Sequence, residues 1–139
     1  MLSVKPFALL ALLLAIFGPL KAAERMRPGL WENTVVANGS STTRTHCVTP
    51  AEAASTNLPD DAMRQSVEKA IAKSGKGSCK LKDLKVDGNT VSQVMVCGAT
   101  SYANTTIYRG DNFQTLSRST KAGVTAVTLL KGHRLGACP

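Results

Sequence analysis

Residues 30–48 read LWENTVVANGSSTTRTHCV: a β-like run from Leu30 to Ala37, the dipeptide Asn38-Gly39, and a second run from Ser41 to Val48. Asn-Gly between two such runs is the strongest short-range hairpin signal, because a tight turn needs positive φ and these two residue types tolerate it. With Asn38 and Gly39 as the two loop residues, Trp31 falls opposite His46 and Asn33 opposite Arg44. Alternation then points Glu32 to the other face.

The same pattern recurs downstream. Lys80 to Val86 and Thr90 to Val96 flank Asp87-Gly88-Asn89, and Ser101 to Arg109 and Asn112 to Ser119 flank Gly110-Asp111. A two-residue turn at Gly110-Asp111 pairs Tyr108 with Phe113 and Thr106 with Thr115, both suited to a sheet. Lys121 to Gly123 marks the next turn, and Val124 to Leu130 is the last clear strand before Gly132.

Pro50 to Lys73 differs in period. Met63, Val67, Ala70 and Ile71 recur at helical spacing and are opposed by Arg64, Glu68, Lys69 and Lys73, which describes one amphipathic helix. Asp60 after Pro59 suits its N-cap, and Lys73 to Lys76 with Gly75 and Gly77 suits its end. A shorter turn of helix fits Ala51 to Ala54. The expected fold is mainly β (α+β): a curved antiparallel sheet or half-barrel of about seven strands, with one amphipathic helix between the second and third.

The first residues follow another logic. Lys5 precedes an uncharged run from Phe7 to Leu20, broken at Gly18-Pro19 and followed by Lys21-Ala22-Ala23. This is the anatomy of a signal peptide, 1–22, cleaved after Ala22 to leave a single disulfide-bonded domain, 23–139. The uncharged run is shorter than the ~20 residues that span a bilayer, so the mature form is expected to have no transmembrane segment. No cysteine precedes Cys47, so a lipid-modified N-terminal cysteine is not expected either. The expected location is periplasmic or secreted.

Export makes the four cysteines, Cys47, Cys79, Cys97 and Cys138, candidates for two disulfides. A three-residue turn at Asp87-Gly88-Asn89 sets Cys79 opposite Cys97 at bridging distance, though a turn of another length moves that register. Elimination then pairs Cys47 with Cys138, which ties down the C-terminus. The rival reading, a metal site using His46 and His133 with these thiols, lacks a CxxC pair, and no metal or other cofactor is expected.

The chain is basic, with formal charge +8 that falls to +6 when Lys5 and Lys21 leave with the leader. Lys69, Lys73, Lys76, Lys80, Lys82 and Lys85 form one stretch. Such a stretch attracts anionic lipid or lipopolysaccharide, while the want of interleaved aromatics argues against nucleic acid.

Several short motifs point to one family: Pro28-Gly29-Leu30-Trp31-Glu32 at the start, Cys47-Val48-Thr49-Pro50, Gly88 to Ser92 running into Cys97, Tyr108-Arg109-Gly110-Asp111, and Gly132 to Pro139 at the close. Together they resemble the proteobacterial exported domain of unknown function numbered 3617. His133 stands where that family more often shows arginine, and Ala137 where an acidic residue is common. The resemblance implies a periplasmic or secreted protein of a Gram-negative bacterium, and it implies no activity, cofactor or catalytic residue.

Nucleophile elbows, HExxH and phosphate-binding loops are all absent from the sequence, so no enzyme and no catalytic residue is expected. The candidate binding residues are Trp31, Glu32, His46 and Arg134. Mature aromatics are few, so small and branched side chains must fill the interior and a cleft becomes conceivable. The leading expectation is a non-catalytic binding module for a small apolar ligand or a protein partner such as an envelope protein. The alternative is a basic envelope-interaction or stress protein that contacts anionic lipid or lipopolysaccharide.

Overall fold

The computed structural model describes residues 24–75 and 77–139. The expected leader and Lys76 lie outside them. The elements are β1 (Gly29–Ala37), β2 (Ser40–Val48), α1 (Pro50–Thr56), α2 (Asp60–Lys73), β3 (Cys79–Asp87), β4 (Thr90–Cys97), β5 (Thr100–Arg109), β6 (Asn112–Lys121) and β7 (Val124–Gly136). The seven strands form one antiparallel sheet in the order β2-β1-β7-β6-β5-β4-β3, which does not close into a barrel. β2 and β3 are therefore opposite edges, and the helices carry the chain from one edge to the other.

The first hairpin has the register the Asn-Gly turn demands, with Trp31 opposite His46 and Asn33 opposite Arg44. Asn38 and Gly39 both hold positive φ, 50° and 75°. Tyr108 pairs with Phe113 and Thr106 with Thr115, and the two threonine hydroxyls lie 2.8 Å apart.

Four local expectations need correction. The turn between β3 and β4 has two residues, Gly88 and Asn89, because Asp87 already pairs with Thr90. A bulge at Lys82 then shifts the register between Leu81 and Asp83, and this shift brings Cys79 opposite Cys97 after all. The helical stretch is two helices: the short turn near Ala51 is the full helix α1. Thr49 caps it, receiving the Glu52 N–H while the Glu52 carboxylate accepts from the Thr49 N–H, a reciprocal capping box. Asp60 is the first residue inside α2 rather than its cap, and its carboxylate accepts the Val86 N–H at 3.0 Å, tying α2 to β3.

The fourth concerns Gly132, which does not end β7. The strand continues to Gly136 because Phe113, directly across on β6, lays its ring where a side chain at 132 would stand. A Cβ there would lie 2.0 Å from Phe113 Cε1. Phe113 in turn packs near Trp31 and Tyr108, with ring centroids 5.6 and 5.9 Å apart.

The core is small and lies on one face of the sheet. Trp31 is fully buried, with Val48 and Ala53 of α1 around it and Met26 and Phe113 alongside. Met63 of α2 and Leu84 of β3 are buried where α2 packs on the far edge. Disulfides join Cys47 to Cys138 and Cys79 to Cys97, with Cα–Cα distances of 5.5 and 3.9 Å.

Candidate functional site

Strand alternation gives the sheet two faces with different cover. Trp31, Phe113, Tyr108, Thr106 and Val91 share the face on which α1 and α2 sit, and a cleft of about 250 Å³ remains there between Met63, Val67 and the strands. Among the described residues, the opposite face carries no helix. On it β1, β7, β6 and β5 form an open trough of about 730 Å³.

The trough is built from cross-strand rows. The first row runs Glu32, His133, Asn112, Arg109, and the next runs Thr34, Lys131, Gln114, Ile107. A third row of Val36, Leu129, Leu116 and Thr105 follows. Beyond it stand Val127, Arg118, Ala103 and Val94. Glu32, Arg109 and Lys131 thus stand toward one end of the face, aliphatic surface lies in the middle, and Arg118 stands in the row beyond it. The Asn112 amide oxygen lies 2.9 Å from His133 Nδ1, so with that oxygen engaged the Asn112 NH2 is left to donate outward. Among the described residues, Glu32, Arg109 and Lys131 join no ion pair.

Of the four candidates from sequence, only Glu32 lines the trough. Trp31, His46 and Arg134 are cross-strand neighbours on the other face. Trp31 is an anchor of the core, and its indole N–H donates to the Arg27 carbonyl at 3.0 Å. His46 Nε2 lies 3.6 Å from Glu52 Oε1. The Thr49 N–H and hydroxyl on Glu52, helped by His46, hold that carboxyl below the usual range. Arg134 donates from Nε to the Pro28 carbonyl at 2.9 Å, stacking the C-terminal strand on the chain entry. Glu32 is not brought together with His46 or Arg134, so these groups cannot act on one substrate atom.

Sequence reasoning missed the trough's Ile107, Arg109, Leu116 and Lys131. It also missed Arg25, a cation only 4% exposed. Arg25 donates to the carbonyls of Thr56 at 3.0 Å, Gly88 at 3.1 Å and Leu58, so one guanidinium joins the α1–α2 connection to the β3–β4 turn. Beside it, Met26 and Asn57 exchange two hydrogen bonds, N–H to Oδ1 at 2.9 Å and Nδ2–H to the Met26 carbonyl at 2.8 Å. Burial of Tyr108 pushes its phenol above the ordinary value, and the nearby Arg25 charge offsets part of that.

The lysines have a structural setting as well. Lys80, Lys82 and Lys85 are exposed on the edge strand β3, where charge and the bulge together discourage pairing with another chain. Among the described residues no three His, Cys, Asp or Glu gather as a metal site, and no helix is long and apolar enough to cross a membrane. No curated protein and no solved structure matches the chain. One family model does, over residues 26–138, nearly the whole described domain. The chain belongs to that family, described as "Protein of unknown function (DUF3617)".

Proposed function

We propose that the domain is an exported, non-catalytic binding module whose sheet trough receives a small ligand with an apolar body. The observation that supports it is the face left uncovered by helix among the described residues: about 730 Å³ of concavity, floored by Ile107 and Leu116, on a sheet whose other face already holds the core. A pocket of this size suits a small molecule, and apolar floors with a few polar groups at the rim are what such sites use. Two disulfides and the signal-like leader sequence support a periplasmic or secreted setting in a Gram-negative cell.

Native mass spectrometry of the protein recovered from its own compartment tests this. The expected result is a mass four hydrogens below the reduced chain plus a retained small molecule, which a Leu116→Glu variant loses. Recovery of the bare chain alone, with both bridges intact, counts against the reading.

A second reading is supported by one arrangement. α2 packs on β3, where Arg64 donates to the Leu84 carbonyl at 2.9 Å, and these two adjoining elements carry the exposed Lys69 and Lys73 on the helix and Lys80, Lys82 and Lys85 on the strand. Such an edge would hold anionic lipid or lipopolysaccharide through charge, with binding that weakens as salt rises. Vesicle co-sedimentation at low and high salt separates it from the trough, which does not contain these lysines.

A further inference from the structure

We propose that the trough takes a single-chain amphiphile with an anionic head, the head seated by Arg109 and Lys131 and the hydrocarbon chain laid over Ile107, Leu116 and Leu129. The proposal rests on the binding-module reading and adds the chemical class of the ligand.

The head follows from the charges. Arg109 and Lys131 both line the trough, and neither has a carboxylate partner among the described residues. Between them stand Asn112 and Gln114, whose amides supply further N–H donors, and the Asn112 oxygen is already engaged by His133. A cluster of two unpaired cations and amide donors matches a carboxylate, phosphate or sulfate. Glu32 fixes the polarity of the site. It sits on β1, three strands and so roughly 14 Å from Arg109 but only one strand across and one row along, roughly 8 Å, from Lys131, so it repels an anion from the β1 rim and turns the head toward Arg109.

The chain follows from the rows. Ile107 lies in the row of Lys131, the next row holds Val36, Leu129 and Leu116, and the one beyond interrupts the aliphatic surface with the exposed Arg118 between Val127 and Ala103. Successive rows are about 6.7 Å apart, so aliphatic surface reaches roughly 13 Å from the charged end, as far as the Leu129 and Leu116 row. Ile107 is 40% exposed, which leaves that surface open to a ligand. An apolar body laid along this path with its acid at Arg109 satisfies both halves of the face at once.

Calorimetry on the disulfide-intact domain tests the proposal, using dodecanoate, dodecyl phosphate, dodecyltrimethylammonium and inorganic phosphate below their aggregation limits. Dodecanoate and dodecyl phosphate are expected to bind one to one, the cationic detergent at least tenfold more weakly, and inorganic phosphate without measurable heat. The double variant Arg109→Gln/Lys131→Gln should weaken dodecanoate at least tenfold at an unchanged melting temperature, and Leu116→Asn should weaken both anionic probes. Equal affinity for the cationic detergent, or no change in the double variant, overturns the anionic head while leaving the trough a binding site. Inorganic phosphate binding as tightly as dodecyl phosphate overturns the amphiphile. Silence from every probe, in a protein that still retains some other molecule in native mass spectrometry, rejects the ligand class alone. Silence with no retained mass rejects the binding-module reading with it.

Discussion

Phe113 and Gly132 face each other across β6 and β7, and the ring of one fills the volume that a side chain on the other would need. The same ring touches Trp31 and Tyr108, so the space left by one missing methyl organises the aromatic part of the core. Gly132→Ala should therefore destabilise by about 1–3 kcal/mol, the usual cost of overpacking a filled site. Gly132→Ala/Phe113→Leu should recover part of that loss relative to the sum of the two single variants. A double-mutant cycle by urea denaturation measures the coupling, and simple additivity would show that the ring is not the obstacle.

Arg25 holds three backbone carbonyls from two separate connections. Arg25→Met keeps the aliphatic stem but strands those acceptors, and the expected loss is roughly 2–4 kcal/mol. Arg25→Lys should recover little, since a point charge on a flexible stem cannot reach three carbonyls at once. Equilibrium unfolding of both variants, with the α1–α2 connection followed by amide hydrogen exchange, checks this. Unchanged exchange at Thr56 to Leu58 would contradict the clamp.

The two disulfides close loops of different size. Cys47 and Cys138 are 91 residues apart, Cys79 and Cys97 only 18. In the chain-entropy account the longer loop contributes about 4.5 kcal/mol and the shorter about 3 kcal/mol. Paired Cys→Ala variants should rank in that order in their denaturation midpoints, and non-reducing peptide maps should show no link other than these two.

Tyr108 and Glu52 set opposite pH limits. The folded Tyr108 phenol is raised, so the stability linked to it is present below the ordinary tyrosine value of about 10 and is lost as pH rises through the folded value. The folded Glu52 carboxyl is lowered, so its contribution is present above the ordinary glutamate value and is lost as pH falls through the folded one. Denaturation curves from pH 3 to 11 should show the alkaline loss reduced in Tyr108→Phe. The acid loss should be reduced in Glu52→Gln, which keeps the capping geometry.

Hairpin registers were legible because turn chemistry and alternation are local properties. The Asn38-Gly39 and Gly110-Asp111 turns fix their pairs without help from the rest of the fold. The Cys79–Cys97 pairing was reached through a three-residue turn that does not exist; a two-residue turn and the bulge at Lys82 offset each other, and a bulge leaves no plain mark in sequence. Gly132 read as a breaker because its partner Phe113 lies 19 residues away, outside any local pattern. Arg25 was hidden because it precedes the first strand and its three acceptors lie 31 to 63 residues away in sequence. The trough was illegible for a different reason: alternation groups Glu32 with Lys131, Arg109 and Leu116 once pairings are known, but only packing decides which face the helices cover.

β3 to β7 form a meander in which each strand meets the one made just before it, whereas β1 must wait for β7. Ribosomes deliver this chain N-terminus first, so the β1–β2 hairpin emerges early and stays an unattached two-stranded ribbon until β7 is made. Such a ribbon is only marginally stable in water. Assembly is therefore a local zippering followed by one long-range closure, and the cross-link that seals the closure, Cys47 to Cys138, can form only after all seven strands have been made.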